Sequence, residues 1–299
     1  MRSHSQRNDL SILIPALNEG RHLQMTVESV RATVAATTEV VVVDDGSTDG
    51  CADFLRRSDP PARLLEPAKP GARLGAAGAR NRAAAHAYGE RLIFLDAHVQ
   101  LPERWSEPLL EMLDNPAVGA AAPAISVWGQ AQNCGYGLRW TDAGLGVTWL
   151  PRQGEAPYAV PLLPGACFAI RRNVFAAAGG FDHGLVQWGS EDTELSLRLW
   201  LLGYELGMVP GVTIAHLFRP RHPYTVAATS VVHNVLRVAA VHFAGDRFER
   251  VDRALRRHAQ YAAASEMLTR QDAAAQRRFM QAHARRDDAS YFKRFGDIH

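Results

Sequence analysis

Three apolar runs that each end in polar residues most constrain how this chain folds. They are LSILIPALNEG at 10–20, EVVVVDDGSTDG at 39–50 and RLIFLDAH at 91–98. Segments with helical periodicity or an Ala-rich composition lie between them, over residues 21–34 and 71–89. Strands that alternate with helices predict an α/β fold with a mostly parallel, right-handed βαβ sheet.

The polar residues that follow the three runs predict a ligand site. Ligands of parallel sheets bind beyond the carboxyl ends of the strands. Glu19, Asp44, Asp45 and Asp96 all lie there. We therefore look for the function at this edge of the sheet.

The pattern also predicts finer details. We expect Pro15 to break the first strand, a third short strand at 62–67, and Ser47 or Thr48 to start a helix over 49–57. We expect further helices at 103–114, 191–202 and 226–245, with short strands and loops between them. In the charged tail, the clearest single helix is predicted over 254–268.

Charge and cysteine content exclude some classes of protein. The 299 residues include 33 basic and 31 acidic residues, a net charge of +2, so we expect no nucleic-acid groove. The three cysteines form neither a disulfide framework nor a zinc spacing, which favours a cytoplasmic location. The start lacks an apolar signal core, and residues 226–245 carry too many polar side chains for a membrane span.

Asp96 and His98 are candidate metal ligands. They are two residues apart after a buried strand, so in extended chain their side chains point the same way. Oxygen and nitrogen ligands together suit manganese or a similar ion, although a lone pair of this kind is more often an incidental polar cap. His216 ends another apolar run and is the candidate third ligand.

Two acidic motifs each have a functional and a structural interpretation. Asp45 could accept an N–H of a uracil base, or cap a turn or helix together with Ser47. Glu191 and Asp192 could cap the helix that they begin, or Asp192 could act as a general base beside the flat apolar wall of Trp188.

The segment after His216 supplies further candidates. Arg219 can bind a phosphate through two hydrogen bonds, and His222 and Tyr224 follow it. The alternative is a strand end followed by a Pro-rich surface loop.

Taken together, these motifs resemble nucleotide-sugar glycosyltransferases of the GT-A fold. SILIPALNE, VVVVDDGSTD and GARNRA resemble the family 2 pattern. FLDAH, GACFAIRRNVFAAAGGFD, WGSEDTELSLRLWLLG and HLFRPRHPYT are similar, in that order, to the catalytic domain of polypeptide N-acetylgalactosaminyltransferases. The resemblance covers about residues 8–245.

The resemblance implies a UDP-sugar donor and roles for particular residues. It implies that Asp96, His98 and His216 bind Mn²⁺ or Mg²⁺, and that Glu191, Asp192 and Arg219 are catalytic. It implies a donor site formed by Pro15, Ala16, Asn18, Glu19, Asp45, Arg80, Ala97, Gly165, Ala166, Trp188, His222 and Tyr224. The implied domains are a GT-A domain over 8–245 and a helical tail over 246–299. Within the GT-A domain, the nucleotide half is expected at 8–100 and the donor-sugar and acceptor half, with a smaller sheet, at 101–218. A catalytic loop and helix follow at 219–245.

Three departures from that family shape the expected reaction. We expect no lectin-like domain, and no membrane anchor or disulfide framework. The family has Asn where this chain has Asp192, and WGxED instead resembles inverting galactosyltransferases and chondroitin polymerases. An inverting displacement needs a base for the acceptor hydroxyl, so we expect inversion with Asp192 as that base, with retention as the alternative.

Other activities and the partners stay open. A nucleotidyltransferase would have a Gly-rich basic loop after the first strand, which PALNEGRH fits poorly, and a non-catalytic sugar-nucleotide scaffold would tolerate loss of the ligands. The aromatic residues of 125–165 could stack on an acceptor peptide, glycan or small natural product, or belong to the core. The tail could dock on the domain or mediate a homodimer.

Overall fold

The computed structural model describes residues 9–57, 61–67, 69 and 71–299. The strands are β1 (Leu10–Ala16), β2 (Glu39–Asp44), β3 (Arg63–Leu65), β4 (Arg91–Leu95), β5 (Val99–Gln100), β6 (Val118–Val127), β7 (Gln130–Gly135), β8 (Leu138–Trp140), β9 (Val147–Trp149), β10 (Tyr158–Ala159), β11 (Cys167–Arg171) and β12 (Glu205–His216). The α-helices are α1 (Arg21–Thr33), α2 (Gly75–His86), α3 (Glu107–Leu113), α4 (Arg172–Ala177), α5 (Glu191–Leu201), α6 (Ala228–His242), α7 (Gly245–Leu255), α8 (Tyr261–Arg270), α9 (Ala273–His283) and α10 (Asp288–Phe295).

One large sheet organises the described residues. Its main path runs β10-β12-β6-β11-β4-β1-β2-β3, with β5 paired to β12 and β7 to β6. The strands β1 to β4 pair in parallel, and β12 is parallel to β6, whereas β11 runs antiparallel to β4 and β6. β8 and β9 form a separate two-stranded sheet. The predicted α/β class with a mostly parallel central sheet is confirmed.

Helices cover both faces of this sheet. In β1, Leu13 packs on one face with α2, α5 and α6, while Ile12 and Ile14 pack on the other face with α1 and α3. The alternation follows from the two-residue repeat of a strand. Because both faces are buried, the strands are almost continuously apolar, and their polar residues occur at the ends.

Pro15 does not break the first strand, contrary to the sequence prediction. β1 continues to Ala16, and its pairing with β2 extends to Asp44. Its pairing with β4, however, ends at Leu13. Alternate residues of a strand direct their backbone groups to opposite neighbouring strands. The backbone of Pro15 therefore faces the β4 side, where pairing has already ended. Its missing N–H therefore removes no ladder bond.

Three helix predictions were wrong in their limits. Ser47 and Thr48 start no helix, because both bind Asn18, and only a 3₁₀ turn forms later, at Asp53–Arg56. The helix predicted from residue 103 begins at Glu107, since Arg104 adopts φ +56°. The segment 254–268 contains the end of α7 and the start of α8, because both helices pack against α6 and the chain must turn between them.

The tail docks on the domain, which was one of its two predicted placements. Tyr291, Phe292 and Ile298 are buried in the core that contains Trp140 and Phe243. Trp140 stacks on Phe292 with ring centroids 5.9 Å apart. The tail thus supports the small β8–β9 sheet, and a homodimer through its outer face stays a prediction.

Two further observations concern membrane-spanning helices and the cysteines. No helix of the described residues is long and apolar enough to cross a membrane. Cys51, Cys134 and Cys167 are unpaired. The cytoplasmic location stays a prediction, as do the domain boundaries.

Candidate active site

The three candidate metal ligands converge through strand pairing. Asp96 follows β4 directly, and His98 precedes β5. β5 pairs antiparallel with the end of β12, so that Val99 lies opposite His216. The chain bends at residues 97–98 instead of staying extended as we expected. The convergence therefore depends on the β5–β12 pairing rather than on the two-residue spacing.

The donor atoms of this cluster suit a divalent metal ion. One carboxylate oxygen and one nitrogen from each imidazole lie within 4.8 Å of one another. Nε2 of His216 is 3.3 Å from Oδ2 of Asp96, and the two imidazole centroids are 4.7 Å apart. Nδ1 of His216 is buried and has no partner among the described residues. An oxygen and two imidazole nitrogens form a donor set that fits manganese or a similar first-row ion.

A buried arginine lies directly behind Asp96. The guanidinium of Arg80 donates to Asp96 (2.8 Å), Glu191 (2.6 Å) and the carbonyl of Gly165 (3.2 Å). Burial alone would raise the pKa of Asp96, but the hydrogen bond from His216 and the charge of Arg80 hold it well below its usual range. Asp96 is thus ionised at any ordinary pH. The expected place of Arg80 near a uridine stays a prediction.

Asp192 lies close to this arginine at the start of α5. Its Oδ2 accepts from the N–H of Gly165 (2.9 Å) and its Oδ1 from its neighbour Thr193 (2.8 Å). Burial, and then the charge of Glu191, raise the pKa of Asp192 to about 6. A carboxylate with this pKa is ionised at neutral pH and more basic than an ordinary aspartate, as a general base requires.

A turn with left-handed backbone precedes these acids. Gln187, Gly189 and Ser190 have φ of +53°, +101° and +70°. Asn234 holds the turn, since its Nδ2 donates to the carbonyls of Val186, Trp188 and Gly189. The N–H of Gly189 in turn donates to Glu191 (2.9 Å). The turn exposes Trp188, which is 40% accessible.

The segment after His216 folds back over the cluster. Arg219 donates to Oε2 of Glu19 (2.7 Å) and contacts Nδ1 of His22 (3.3 Å). The rings of His222 and Trp188 are 4.4 Å apart, and Tyr224 packs on His222 at 5.4 Å. The contacts bring the predicted loop residues and the WGSED motif together.

Two groups in this region have further perturbed pKa values. Burial would raise the pKa of Glu19, but His98 and Arg219 lower it below its usual value. Burial, with the nearby charges of Glu19 and Asp96, raises the pKa of Tyr224 to about 12. Tyr224 is therefore a neutral hydrogen-bonding group at neutral pH.

Asp45 caps a helix. Its two oxygens accept from the N–H groups of Leu74 (2.6 Å) and Gly75 (2.9 Å), at the start of α2. Burial raises its pKa above the usual value. The capping interpretation thus describes its contacts, although the helix is α2 and not the one proposed after Ser47. Contact with a uracil stays a prediction.

The remaining predicted donor residues lie at the same edge of the sheet. Pro15 and Ala16 end β1, and Asn18 bridges to Ser47 and Thr48. The carbonyl of Ala166 accepts from the N–H of Asp96 (2.9 Å). Ala97 is buried, and a side chain at Gly165 would meet Oδ2 of Asp192 at 2.9 Å. Gly165 therefore lets the two segments approach closely.

The sequence did not identify three residues near this site. Exposed Phe218 lies beside His216 (ring centroids 4.4 Å) and meets Trp149 edge-on at 6.0 Å. His22 contacts Arg219 and Trp128, and Asn234 holds the Trp188 turn. The only sequence signal for His22 and Asn234 was that each is a polar residue within an apolar helical pattern. No feature of the neighbouring sequence indicated a role for Phe218.

Comparison with known proteins identifies the family. The model of "Glycosyl transferase family 2" matches residues 11–179, more than half of the chain. The chain belongs to glycosyl transferase family 2. A second model, "N-terminal domain of galactosyltransferase", matches residues 152–223 of this family 2 member. The second match covers the WGSED motif and the first seven residues after His216.

The similar curated proteins are mostly much longer than this chain. Polypeptide N-acetylgalactosaminyltransferase 11 of Xenopus tropicalis is 30% identical over 77% of this chain and 42% of its own length. A putative polypeptide N-acetylgalactosaminyltransferase 13 of Drosophila melanogaster is 33% identical over 72% of this chain and 43% of its own length. The family 2 chain thus spans less than half the length of these relatives.

Solved structures support the fold. A crystal structure of GalNAc-T7 with UDP, GalNAc and Mn²⁺ matches 95% of this chain and 56% of its own, with a TM-score of 0.77 at 24% identity. A mannosyltransferase from Pyrobaculum calidifontis with GDP-Man and Mn²⁺ matches 98% of this chain and 77% of its own, with a TM-score of 0.53 at 18% identity. The predicted GT-A fold is confirmed.

Proposed function

We propose that this protein is a metal-dependent glycosyltransferase that uses a UDP-sugar donor. It transfers a hexose or N-acetylhexosamine to a hydroxyl or other nucleophile of an acceptor. The observation that carries the proposal is the convergence of Asp96, His98 and His216 at the carboxyl edge of a family 2 sheet. The names of the similar proteins, and the Mn²⁺ and UDP in a structure of the same fold, support it.

The three ligands would hold Mn²⁺, or Mg²⁺, close to the donor diphosphate. A bound divalent ion supplies Lewis-acid stabilisation of a departing nucleotide. Arg80 keeps Asp96 ionised and fixed. Arg219, on the segment that covers the cluster, adds positive charge for the diphosphate, and Glu191 keeps Arg80 in place.

Asp192 would act as the base of an inverting transfer. It lies next to Gly165 and Ala166, where the resemblance places the donor sugar, and its pKa is raised to about 6. Asp192 would remove the proton of the attacking acceptor group as the bond to the sugar forms. Retaining transfer, as in the relatives with Asn here, is the alternative that the stereochemistry of the product distinguishes.

The acceptor would approach beside Trp149, Trp188 and Phe218, which are exposed aromatic residues. Aromatic faces pack on sugars and on apolar peptide side chains. The names of the curated relatives favour a peptide. Glycans and small natural products are the other acceptor classes to screen.

Calorimetric titration with UDP, with and without Mn²⁺, tests the proposal. We expect binding that requires the ion in the wild type and is lost in His216→Ala. His258→Ala, on an exposed turn of the tail, is the matched control and should bind as the wild type does. Metal-independent binding, or none, would remove the link between the cluster and the nucleotide and with it the proposed function. Hydrolysis of individual UDP-sugars then identifies the donor.

A further inference from the structure

One carboxylate oxygen joins two parts of the site that are far apart in sequence. Glu19, between β1 and α1, is only 6% exposed. Its Oε2 accepts from Nη2 of Arg219 (2.7 Å) and contacts Nδ1 of His98 (3.1 Å). Three chain segments therefore meet at a single atom, which is one hydrogen bond away from a candidate metal ligand.

We propose that Glu19 is a positioning residue that holds both His98 and Arg219, and not a residue that contacts the donor. The inference rests on the proposed function and changes the role expected for Glu19 from the resemblance. In this role, one buried carboxylate fixes both the position of His98 in the metal site and the orientation of Arg219 towards a phosphate.

The contact with His98 determines which nitrogen is available to a metal. Because Nδ1 faces Glu19, Nε2 is the ring nitrogen that remains. A carboxylate that accepts the N–H of a metal-binding imidazole fixes the orientation of its ring and increases its basicity. Loss of such a partner usually lowers metal affinity about 10- to 100-fold.

The contact with Arg219 leaves part of the guanidinium free. Only Nη2 is engaged, by Glu19 and His22, and no hydrogen bond within the described residues uses Nε or Nη1. Arg219 can therefore keep its bond to Glu19 while the other nitrogens bind a phosphate. Glu19 itself has little surface left to offer a nucleotide, since it is nearly buried.

Glu19→Gln in the full chain tests this role without measuring turnover. Mn²⁺ alone, UDP with Mn²⁺, and uridine are titrated separately into the wild type and the variant. We expect Mn²⁺ affinity to fall about 10- to 100-fold, UDP affinity to fall with it, and uridine affinity to stay within about twofold. In an Arg219→Ala background, Glu19→Gln should cost less additional UDP affinity than in the wild type.

The control is Glu28→Gln, an exposed carboxylate on α1 that should change none of these affinities. Unchanged Mn²⁺ affinity in Glu19→Gln, or an equal loss for uridine, would overturn the inference. If that variant does not fold, Glu19→Asp takes its place, because the shorter side chain keeps the charge but cannot reach both partners. A wild type that binds neither Mn²⁺ nor UDP would instead refute the proposed function.

Discussion

Asp192→Asn gives the most informative single substitution, and its effect has two parts. The first part is structural. Both carboxylate oxygens accept a backbone N–H, from Gly165 and from Thr193. An amide has one acceptor oxygen, so its NH₂ must face one of these donors. An unsatisfied buried donor costs about 1–3 kcal/mol, which corresponds to a fall in Tm of about 2–5 °C for a chain of this size.

The second part is catalytic. A positioned general base contributes about 10²- to 10⁴-fold to the rate, so kcat should fall by that factor if Asp192 is the base. UDP affinity with Mn²⁺ should stay within about threefold, because the metal ligands are untouched. The pKa of about 6 also predicts that kcat/KM of the wild type falls tenfold per pH unit below pH 6, as Asp192 becomes protonated. The kcat/KM of Asp192→Asn should not show this decrease below pH 6.

The assay is release of UDP from the UDP-sugar, at a temperature well below the Tm of the variant. Proton NMR of the sugar, recorded immediately after its release, reports the anomeric configuration of the product. After an inverting reaction this configuration is opposite to that of the donor. A variant with near-normal kcat and the same pH profile as the wild type would refute the assignment of the base. Retained configuration in the wild type would favour the alternative mechanism.

Three further substitutions test the supporting structure. Glu194→Gln removes a fully buried carboxylate bound to Arg198 and His242, and should lower the free energy of unfolding by about 3–5 kcal/mol in chemical denaturation. The exposed Glu266→Gln is the control and should lower it little. Equal losses in the two variants would contradict a stabilising role for the buried carboxylate. The pKa of Glu194 is lowered from 4.5 to about 2, so its contribution is full above pH 4.5 and disappears as the pH falls through about 2. Phe292→Ala should cost about 3–5 kcal/mol if the tail is part of the core, and a loss below about 1 kcal/mol would show a loosely attached tail. Asn234→Ala should change Trp fluorescence and weaken UDP binding more than Mn²⁺ binding; equal weakening of both would argue against a local effect on the Trp188 turn.

The sequence predicted the sheet well because the relevant signals are local. Buried parallel strands are apolar along their whole length, so β1, β2 and β4 were evident from composition alone. The helix α5 followed from the spacing of Leu195, Leu199 and Leu202, which are all buried. The limits of helices were less predictable, because pairing or packing with distant segments decided them.

The sequence named the residues of the candidate site but not the contacts between them. Asp96, His98 and His216 could be named because each ends or follows an apolar run. The contacts of Arg80 with Asp96 and Glu191, and of Glu19 with Arg219, join residues 16 to 200 positions apart. No local pattern specifies such pairs, which appear only when the segments that carry them pack together in the fold.

Arg80, the buried arginine behind Asp96, has a practical consequence for experiments that exchange the divalent metal ion. Proteins whose folding energy comes from metal binding unfold when a chelator is added. Here Arg80 already balances part of the negative charge of Asp96 and Glu191 through two short ion pairs. The fold should thus survive dialysis against EDTA. One metal-free preparation can then be reloaded with Mg²⁺, Mn²⁺ or Co²⁺, and their effects compared on identical protein.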